Sequence, residues 1–390
     1  MHLLILSDDY PSDGRPSFVF VQQLVHALVK LDVEVSVVAP QSLTHAVIHR
    51  QKLLPRQYHV ALEDGYHYSV YRPYSLSFGN KGHRLSAFFQ WFNQRNINRV
   101  LKSVNPSVLY GHFWHSAQKL SQYASDTGIP LFVACGEGDN AIENLVSRLS
   151  NEDCNRLSSL VRGVISVSSE NKRKCIDYGL ANENDIIVLP NCTDDTMFYA
   201  VDAQKRESIR QKLGVSKNDF FVLFVGGFIP RKGADRVSKA IDKIGDAHIK
   251  SCFIGKAMAG VESRPTCQGI IYKGTLEHDK LPDYYRAADV FCLPTLNEGC
   301  CNAIMESLSC GTPVISSNRP FNADILNSEN AILVNPESID EISEAIYMIK
   351  NDKELLAKKK EYTKAHSCDY SIKQRAQRIH QFICEKCDDK

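Results

Sequence analysis

Short apolar runs alternate with longer amphipathic stretches from the first residue of the chain. Met1–Ser7 (MHLLILS) is an apolar run that stops at acidic and turn residues, the pattern of a buried strand. Phe18, Val21, Leu24, Val25 and Leu28 then recur at helical spacing behind Ser17, a residue able to cap a helix. VEVSVVAP (33–40) completes a βαβ opening, which implies a parallel sheet with helices on its faces. Further β-branched runs, each stopped by Gly, Pro, Asn or Ser, lie at 107–113, 130–136, 163–169 and 185–191.

Around 194–204 the pattern breaks, and then it restarts. Strands are predicted at 220–227, 248–255, 269–274, 289–294, 313–317 and 331–336. Helices fit between them near 234–244, 280–288 and 339–350, and the tail from Ser371 is helical again. The expected architecture is α/β, with two doubly wound, Rossmann-like domains facing a cleft. The predicted division is 1–193 for an N-terminal domain and 194–371 for a C-terminal one, with the helix at about 372–390 returning to the first. Ligands of such sheets bind outside the carboxyl ends of the strands, so the loops after strands are where chemistry is expected.

Composition narrows the function. A chain of 390 residues is too long for one typical core. A net charge of +1 excludes a general affinity for nucleic acid, so any anion site must be local. Thirteen cysteines are scattered along the chain, and its start has neither a basic segment nor a long apolar one. Free thiols in a reducing cytoplasm are the expectation. No stretch approaches the ~18 apolar residues of a membrane span. Cys384 and Cys387, with His380 nearby, have half the spacing of a zinc site, but no second pair faces them, and an amphipathic tail helix is the reading.

The densest chemistry lies in NEGCCNAIMESLSCGTPVIS (297–316). Glu298 follows a strand. Asn302 can cap a helix that carries Glu306, and Gly311 and Pro313 end it. The amides of Gly299, Cys300, Cys301, Asn302 and Ala303 then gather at a helix N-terminus, a ready anion site. Glu306 leans back toward that end from roughly one turn inside. A nucleoside diphosphate sugar explains all three features: phosphate at the helix tip, and a carboxylate for the hydroxyls at each end. Pro230-Arg231-Lys232-Gly233 also follows a strand, and its planar fork and point charge suit a diphosphate. Gly227, Thr275 and Leu276, also at or just after strand ends, complete the candidate donor contacts.

These stretches resemble retaining glycosyltransferase family 4, the group 1 glycosyl transferases of surface polysaccharide synthesis, which have the GT-B fold. EGCCNAIMESLSCGTPVIS resembles the family's E-x7-E signature, PNCTDDTMF (190–198) its hinge-proximal segment, and FVGGFIPRKGADR (224–236) its phosphate loop. YYRAADVFCLPTLNEG (284–299) resembles the approach to the signature, and PSDGRPSFVFVQQLVHAL (11–28) the glycine loop and first helix. The resemblance implies donor-sugar contacts for Glu298 and ribose contacts for Glu306. Two departures stand out. The family usually has arginine where this chain has Gly227, so Arg231 takes over that phosphate contact or Lys232 serves alone. The H-G-x-D element found near VACGEGDN (133–140) lacks its histidine here.

In the first half, Gly14 lets backbone approach the donor phosphate or the acceptor. Glu137 and Asp139 are candidates for the transferred sugar or the acceptor hydroxyl. His112 and His115 lie near a strand end, where a packed role competes with acceptor contact. GHRLSAFFQWFNQRNINRVLK (82–102) is basic and aromatic; core packing accounts for most of its rings, and a membrane-facing edge is the alternative.

The implied reaction moves a sugar from a UDP- or GDP-sugar to a hydroxyl of a saccharide or lipid-linked saccharide, with configuration retained and the departing phosphate helping to deprotonate the acceptor. Glu298, Arg231, Lys232 and Glu137 are the candidate catalytic residues. No Asp-x-Asp occurs, so neither a cofactor nor an essential metal is expected. A cytoplasmic enzyme, with or without peripheral contact at the inner membrane surface, follows. The competing readings are a nucleotide-sugar epimerase on the same architecture and a non-catalytic sugar-nucleotide-binding subunit.

Overall fold

The β-branched runs become parallel strands of two separate sheets in a computed structural model, which describes residues 1–12, 17–77, 86–136, 141–257 and 263–388. The chain divides into two units. One comprises Met1–Val167, Asn171–Leu189 and Ala376–Lys390, and the other Pro190–Arg375 with Ser168–Glu170.

The first unit begins β1 (His2–Leu6), α1 (Val19–Val29), β2 (Glu34–Val38), β3 (Gln41–Ser42), α2 (Leu43–Ile48), β4 (Gln57–Ala61), β5 (His67–Tyr71) and β6 (Tyr74–Ser75). It continues through α3 (Ser86–Val104), β7 (Val108–His112), α4 (Trp114–Thr127), β8 (Leu131–Cys135), α5 (Ala141–Val146), α6 (Asn151–Leu160), β9 (Val161–Ser166), α7 (Ser169–Asp177) and β10 (Ile186–Val188). Its main sheet has the order β10-β9-β8-β7-β1-β2-β5-β4, parallel except for β4 against β5. The central strands are buried on both faces, which is why they read as unbroken apolar runs. The hairpin β4–β5 has no such run. β4 alternates half-buried and exposed positions, and after a turn at Asp64–Gly65 β5 alternates buried Tyr68 and Val70 with more open positions, a pattern the apolar-run reading passes over.

Ser17 does not cap α1. Its hydroxyl donates to Asp9, and the N-cap is Phe18, in the left-handed region at φ 56° with no side-chain cap. Gly163 admits the tail helix: a Cβ there would stand 2.7 Å from the Phe382 ring, which packs edge-on to Phe132.

The second unit runs α8 (Ala203–Lys212), β11 (Phe220–Val225), α9 (Ala234–Ile244), β12 (Ile249–Ile254), β13 (Ile270–Gly274), α10 (Leu281–Ala287), β14 (Val290–Leu293) and α11 (Asn302–Ser309). β15 (Val314–Ser317), β16 (Ala331–Val334), α12 (Ile339–Asn351) and α13 (Lys353–Ala365) follow, and α14 (Ile372–Asp388) is the tail helix. The sheet is all parallel, in the order β13-β12-β11-β14-β15-β16.

Both sheets change direction once. In the first, β1 is flanked by β2 and β7; in the second, β11 is flanked by β12 and β14. At such a point the loops leaving two adjacent strands diverge and open a crevice. β14 is fixed at its start by Asp289, whose carboxylate takes Arg206 at 2.8 Å, Arg210 at 3.0 Å, Lys360 at 2.8 Å and the N–H of Phe221 at 2.9 Å. Burial alone would push this carboxyl up. The charges of Lys360, Arg206 and Arg210 outweigh it and hold Asp289 well below the ordinary carboxylate range.

Candidate active site

The loops after β11 and β14 carry the charged residues that the sequence singled out, and the strand order makes them neighbours. Arg231 Nη1 donates to Glu298 Oε1 at 2.9 Å, and Lys232 Nζ donates to the same oxygen. Thr295 Oγ1 is its third donor, at 2.9 Å. Arg231 also donates to the carbonyl of Asn297, and the N–H of Leu296 donates to the carbonyl of Arg231 at 2.9 Å, so the two loops are tied by backbone as well. The Glu298 side chain is only 13% exposed, so this pairing acts in a partly dry environment where charge interactions are strong. Gly233 makes the loop possible. It caps α9 at φ 81°, and a Cβ there would meet the Arg236 guanidinium at 2.6 Å.

At α11 the structure corrects the predicted cap. The N-cap is Cys301, and Asn302 is the first helical residue. Asn302 Oδ1 instead accepts from Asn191 Nδ2 at 2.8 Å; Asn191 Nδ2 also donates to the Cys300 carbonyl, and its N–H donates to Cys300 Sγ, both at 3.2 Å. The Cys300 and Cys301 side chains pack inward, and burial pushes their thiols up to about 12 and about 11. What these residues present at the tip is therefore backbone. Gly299 lies in the bend just before them.

Glu306 is buried, one turn inside α11, and both its oxygens have partners. Tyr285 O–H donates to Oε2 at 2.8 Å, and His278 Nε2 lies 3.1 Å from Oε1. The hydrogen bond to Glu306 raises the His278 pKa against the effect of burial. Burial, with the charge of Glu306 adding to it, lifts the Tyr285 hydroxyl well above its usual value. Sequence reasoning missed His278, Tyr285, Thr295 and Asn191. The segment YYRAADVF was recognised, but nothing local tells which tyrosine faces a carboxylate in a later helix.

The remaining candidates are less involved. Thr275 follows β13, its carbonyl accepting from Tyr272 O–H at 2.8 Å, and Leu276 packs at the edge of the unit's core. Gly227 is not required by packing: a Cβ there would find only the Lys256 carbonyl, at 3.9 Å. His112 ends β7 and is buried against Phe113 and Phe20, with ring centroids at 4.6 and 5.3 Å. Gly14, Glu137 and Asp139 lie outside the described residues. His380 and Cys384 meet at 3.5 Å within α14, and among the described residues no group of three His, Cys, Asp or Glu could hold a metal ion.

The first unit has a groove of about 1060 Å³ at its own switch point. Asp8, just past β1, and His115, in the first turn of α4, line it, with α3 forming a wall. Phe88 and Trp91 of α3 are not core residues as the sequence reading had most of these rings: they are half exposed and stacked, 5.8 Å apart. One turn on, the Arg95 guanidinium lies 5.2 Å from the Trp91 ring. Lys119 pairs with Asp8 at 2.6 Å, whereas among the described residues no carboxylate pairs with Arg95, Arg99 or Lys102. Among the described residues, no helix is long and apolar enough to cross a membrane.

Residues 18–196 match the family model described as Glycosyltransferase Family 4, and residues 205–366 that of Glycosyl transferases group 1. A Bacillus subtilis protein named for glycosyl transfer in teichuronic acid biosynthesis is 25% identical over 360 residues, covering 89% of this chain and 88% of that protein. The Escherichia coli UDP-Gal:alpha-D-GlcNAc-diphosphoundecaprenol alpha-1,3-galactosyltransferase is 28% identical over 203 residues, covering 49% of this chain and 52% of its own. Among solved structures, sucrose-phosphate synthase from Thermosynechococcus elongatus superposes with a TM-score of 0.74 at 15% identity, over 98% of both chains. Anabaena HepE in complex with UDP superposes with a TM-score of 0.73 at 16% identity, over 99% of this chain and 100% of that one.

Two Rossmann-like domains of this topology make the GT-B fold, and both matching family models are of glycosyltransferases. The chain belongs to glycosyltransferase family 4, the group 1 glycosyl transferases, and is a transferase enzyme.

Proposed function

We propose that the enzyme moves a sugar from a UDP- or GDP-sugar to an acceptor hydroxyl, with anomeric configuration retained, in the synthesis of a surface polysaccharide. The observation that carries this reading is the clamp of Arg231, Lys232 and Thr295 on Glu298 where β11 and β14 diverge. Arg231, Lys232 and the amides from Gly299 to Ala303 take the diphosphate, and Glu298, displaced from the cations, accepts hydrogen bonds from the sugar. Glu306 takes the ribose. Gly227, Thr275 and Leu276 border the same donor, and Gly14 lets backbone approach it. In the reaction the acceptor oxygen bonds to the anomeric carbon as the bond to the phosphate oxygen breaks. The electron pair leaves with the phosphate, and the acceptor proton passes to a phosphate oxygen. Arg231 and Lys232 stabilise the charge that develops there, an effect worth about 3 kcal/mol for a single well-placed donor. No metal is essential in this scheme, and no cofactor beyond the co-substrate.

The acceptor is a saccharide or lipid-linked saccharide taken up by the first unit, with Glu137, Asp139 and His112 as its candidate contacts. The cations of the α3 groove suit an anionic head group, and the exposed Phe88 and Trp91 suit peripheral contact with the inner membrane surface from the cytoplasmic side. Support for the donor comes from HepE, crystallised with UDP and with UDP-glucose. Support for the pathway comes from the teichuronic acid relative.

The test is transfer from labelled UDP- and GDP-sugars in excess EDTA, with the configuration of the product read by NMR. Retained configuration without metal is the expected outcome. Loss of transfer that magnesium restores refutes the metal-free scheme, and an inverted product refutes the mechanism.

A further inference from the structure

We propose that His278 is a positioning residue for the nucleotide site: it holds the Glu306 carboxylate in the orientation that accepts both ribose hydroxyls. This rests on the ribose role of Glu306 proposed above.

An ionised carboxylate has about four acceptor positions, two on each oxygen. In Glu306 each oxygen already has one protein partner, Tyr285 on Oε2 and His278 on Oε1. One position therefore stays open on each oxygen, and two adjacent acceptors match a vicinal diol. The two partners differ in kind. Tyr285 is fully buried, packed against Phe291 and Phe198 with ring centroids at 5.5 and 6.1 Å, and belongs to the core. The His278 side chain is 52% exposed, so the core does not need it. It stands in a single 3₁₀ turn (His278–Lys280) just past the carboxyl end of β13, on the strand-end side of the sheet where the clamp also lies. The Phe198 ring, 5.2 Å away, supports one side of the imidazole. Glu306 faces it from α11, Asp194 from the segment before α8, and Asp279 from its own turn. With its proton on Nε2 the imidazole donates to Glu306, and the acidic surround favours the protonated ring. Without His278, one carboxylate oxygen loses its anchor and the group can rotate about its bond to Cγ. An orientation matched to two hydroxyls is then no longer preorganised.

The experiment measures dissociation constants by calorimetry for UDP and GDP and for their 2′,3′-dideoxy counterparts. The proteins are wild type, His278→Ala, His278→Gln and Glu306→Ala. The expected result is about fivefold weaker binding of the ribonucleotide by His278→Ala, the loss of one ordinary hydrogen bond's contribution. The dideoxy nucleotide should bind unchanged. His278→Gln, whose amide can donate from the same distance, should recover most of the loss. Equal weakening of both nucleotides overturns the proposal, because a merely structural defect would do that. So does unchanged binding of both. If wild type does not distinguish ribose from dideoxyribose, the ribose reading of Glu306 fails, and this inference with it. If wild type distinguishes them, Glu306→Ala abolishes the distinction and His278→Ala does not, only the role of His278 is lost.

Discussion

Each unit has a sheet that changes direction once, β11 to β14 in one and β1 to β7 in the other, and the two crevices are furnished in opposite ways. At the first, the cations are already satisfied: Arg231 and Lys232 share a carboxylate oxygen of a nearly buried Glu298. At the second, Lys119 holds Asp8, while Arg95, Arg99 and Lys102 face the groove from exposed positions with no carboxylate partner among the described residues. The difference has a physical consequence. A diphosphate arriving at the paired site exchanges one anion for another, so little solvent reorganises and the geometry stays fixed. An anion arriving at the open groove meets hydrated, mobile cations whose attraction is screened over roughly 10 Å at ordinary salt. The first arrangement suits chemistry, and the second suits capture.

The sharpest way to break this comparison is to loosen the support beneath the paired site. Asp289 holds the start of β14 through three cations, and Asp289→Asn should lower the stability of the second unit by about 3–5 kcal/mol, because it leaves buried charges uncompensated. Urea unfolding, followed by a probe in that unit, measures it. The carboxyl is lowered from its ordinary value of 3.8, so its contribution is complete above that pH and disappears only as pH falls through the lowered value. A gap between wild type and variant that closes already near pH 6 would contradict the network.

Next in size is the exchange of anions itself. Glu298→Gln removes the internal competitor for Arg231 and Lys232, so nucleoside diphosphate should bind more tightly, by about fivefold, the worth of one ordinary hydrogen bond. Transfer should fall about 10²–10³-fold, as when a positioned charge partner is lost from an active site. Weaker nucleotide binding in this variant would show that Glu298 does not compete with phosphate.

The smallest effect tests the open groove. Replacing Arg95, Arg99 and Lys102 together by alanine should raise the KM for a phosphate-bearing acceptor about tenfold at low salt, and the difference should fade as salt is added. Nucleotide affinity should stay within about twofold of wild type, since the site of those contacts is in the other unit. A loss independent of salt would point to packing along α3 instead.

How much of this was readable beforehand follows from burial. β1, β7, β8, β11 and β14 are covered on both faces and so appear as uninterrupted apolar runs. The half-exposed β4–β5 hairpin does not, and it was not predicted. α3 misled for the opposite reason. Its rings look like core residues in the sequence, yet Phe88 and Trp91 face solvent while Asn96, Ile97 and Leu101 go inward. The site divides in the same way. Arg231, Lys232 and Glu298 stood out because each follows a strand, and Glu306 because it lies one turn inside the helix that comes next. The clamp, the Asn191 contact with Asn302, and the His278–Glu306–Tyr285 group did not stand out.

The sequence by itself determined the kinds of element, their order, and which loops carry charge, because periodicity and turn residues act over a few positions. Only the tertiary structure decided which charges meet. Lys232 and Glu298 are 66 residues apart in the chain, and they touch because β14 pairs with β11 rather than with β13. Strand order is settled by the packing of whole faces against one another, a sum over many distant contacts that no short stretch of residues contains.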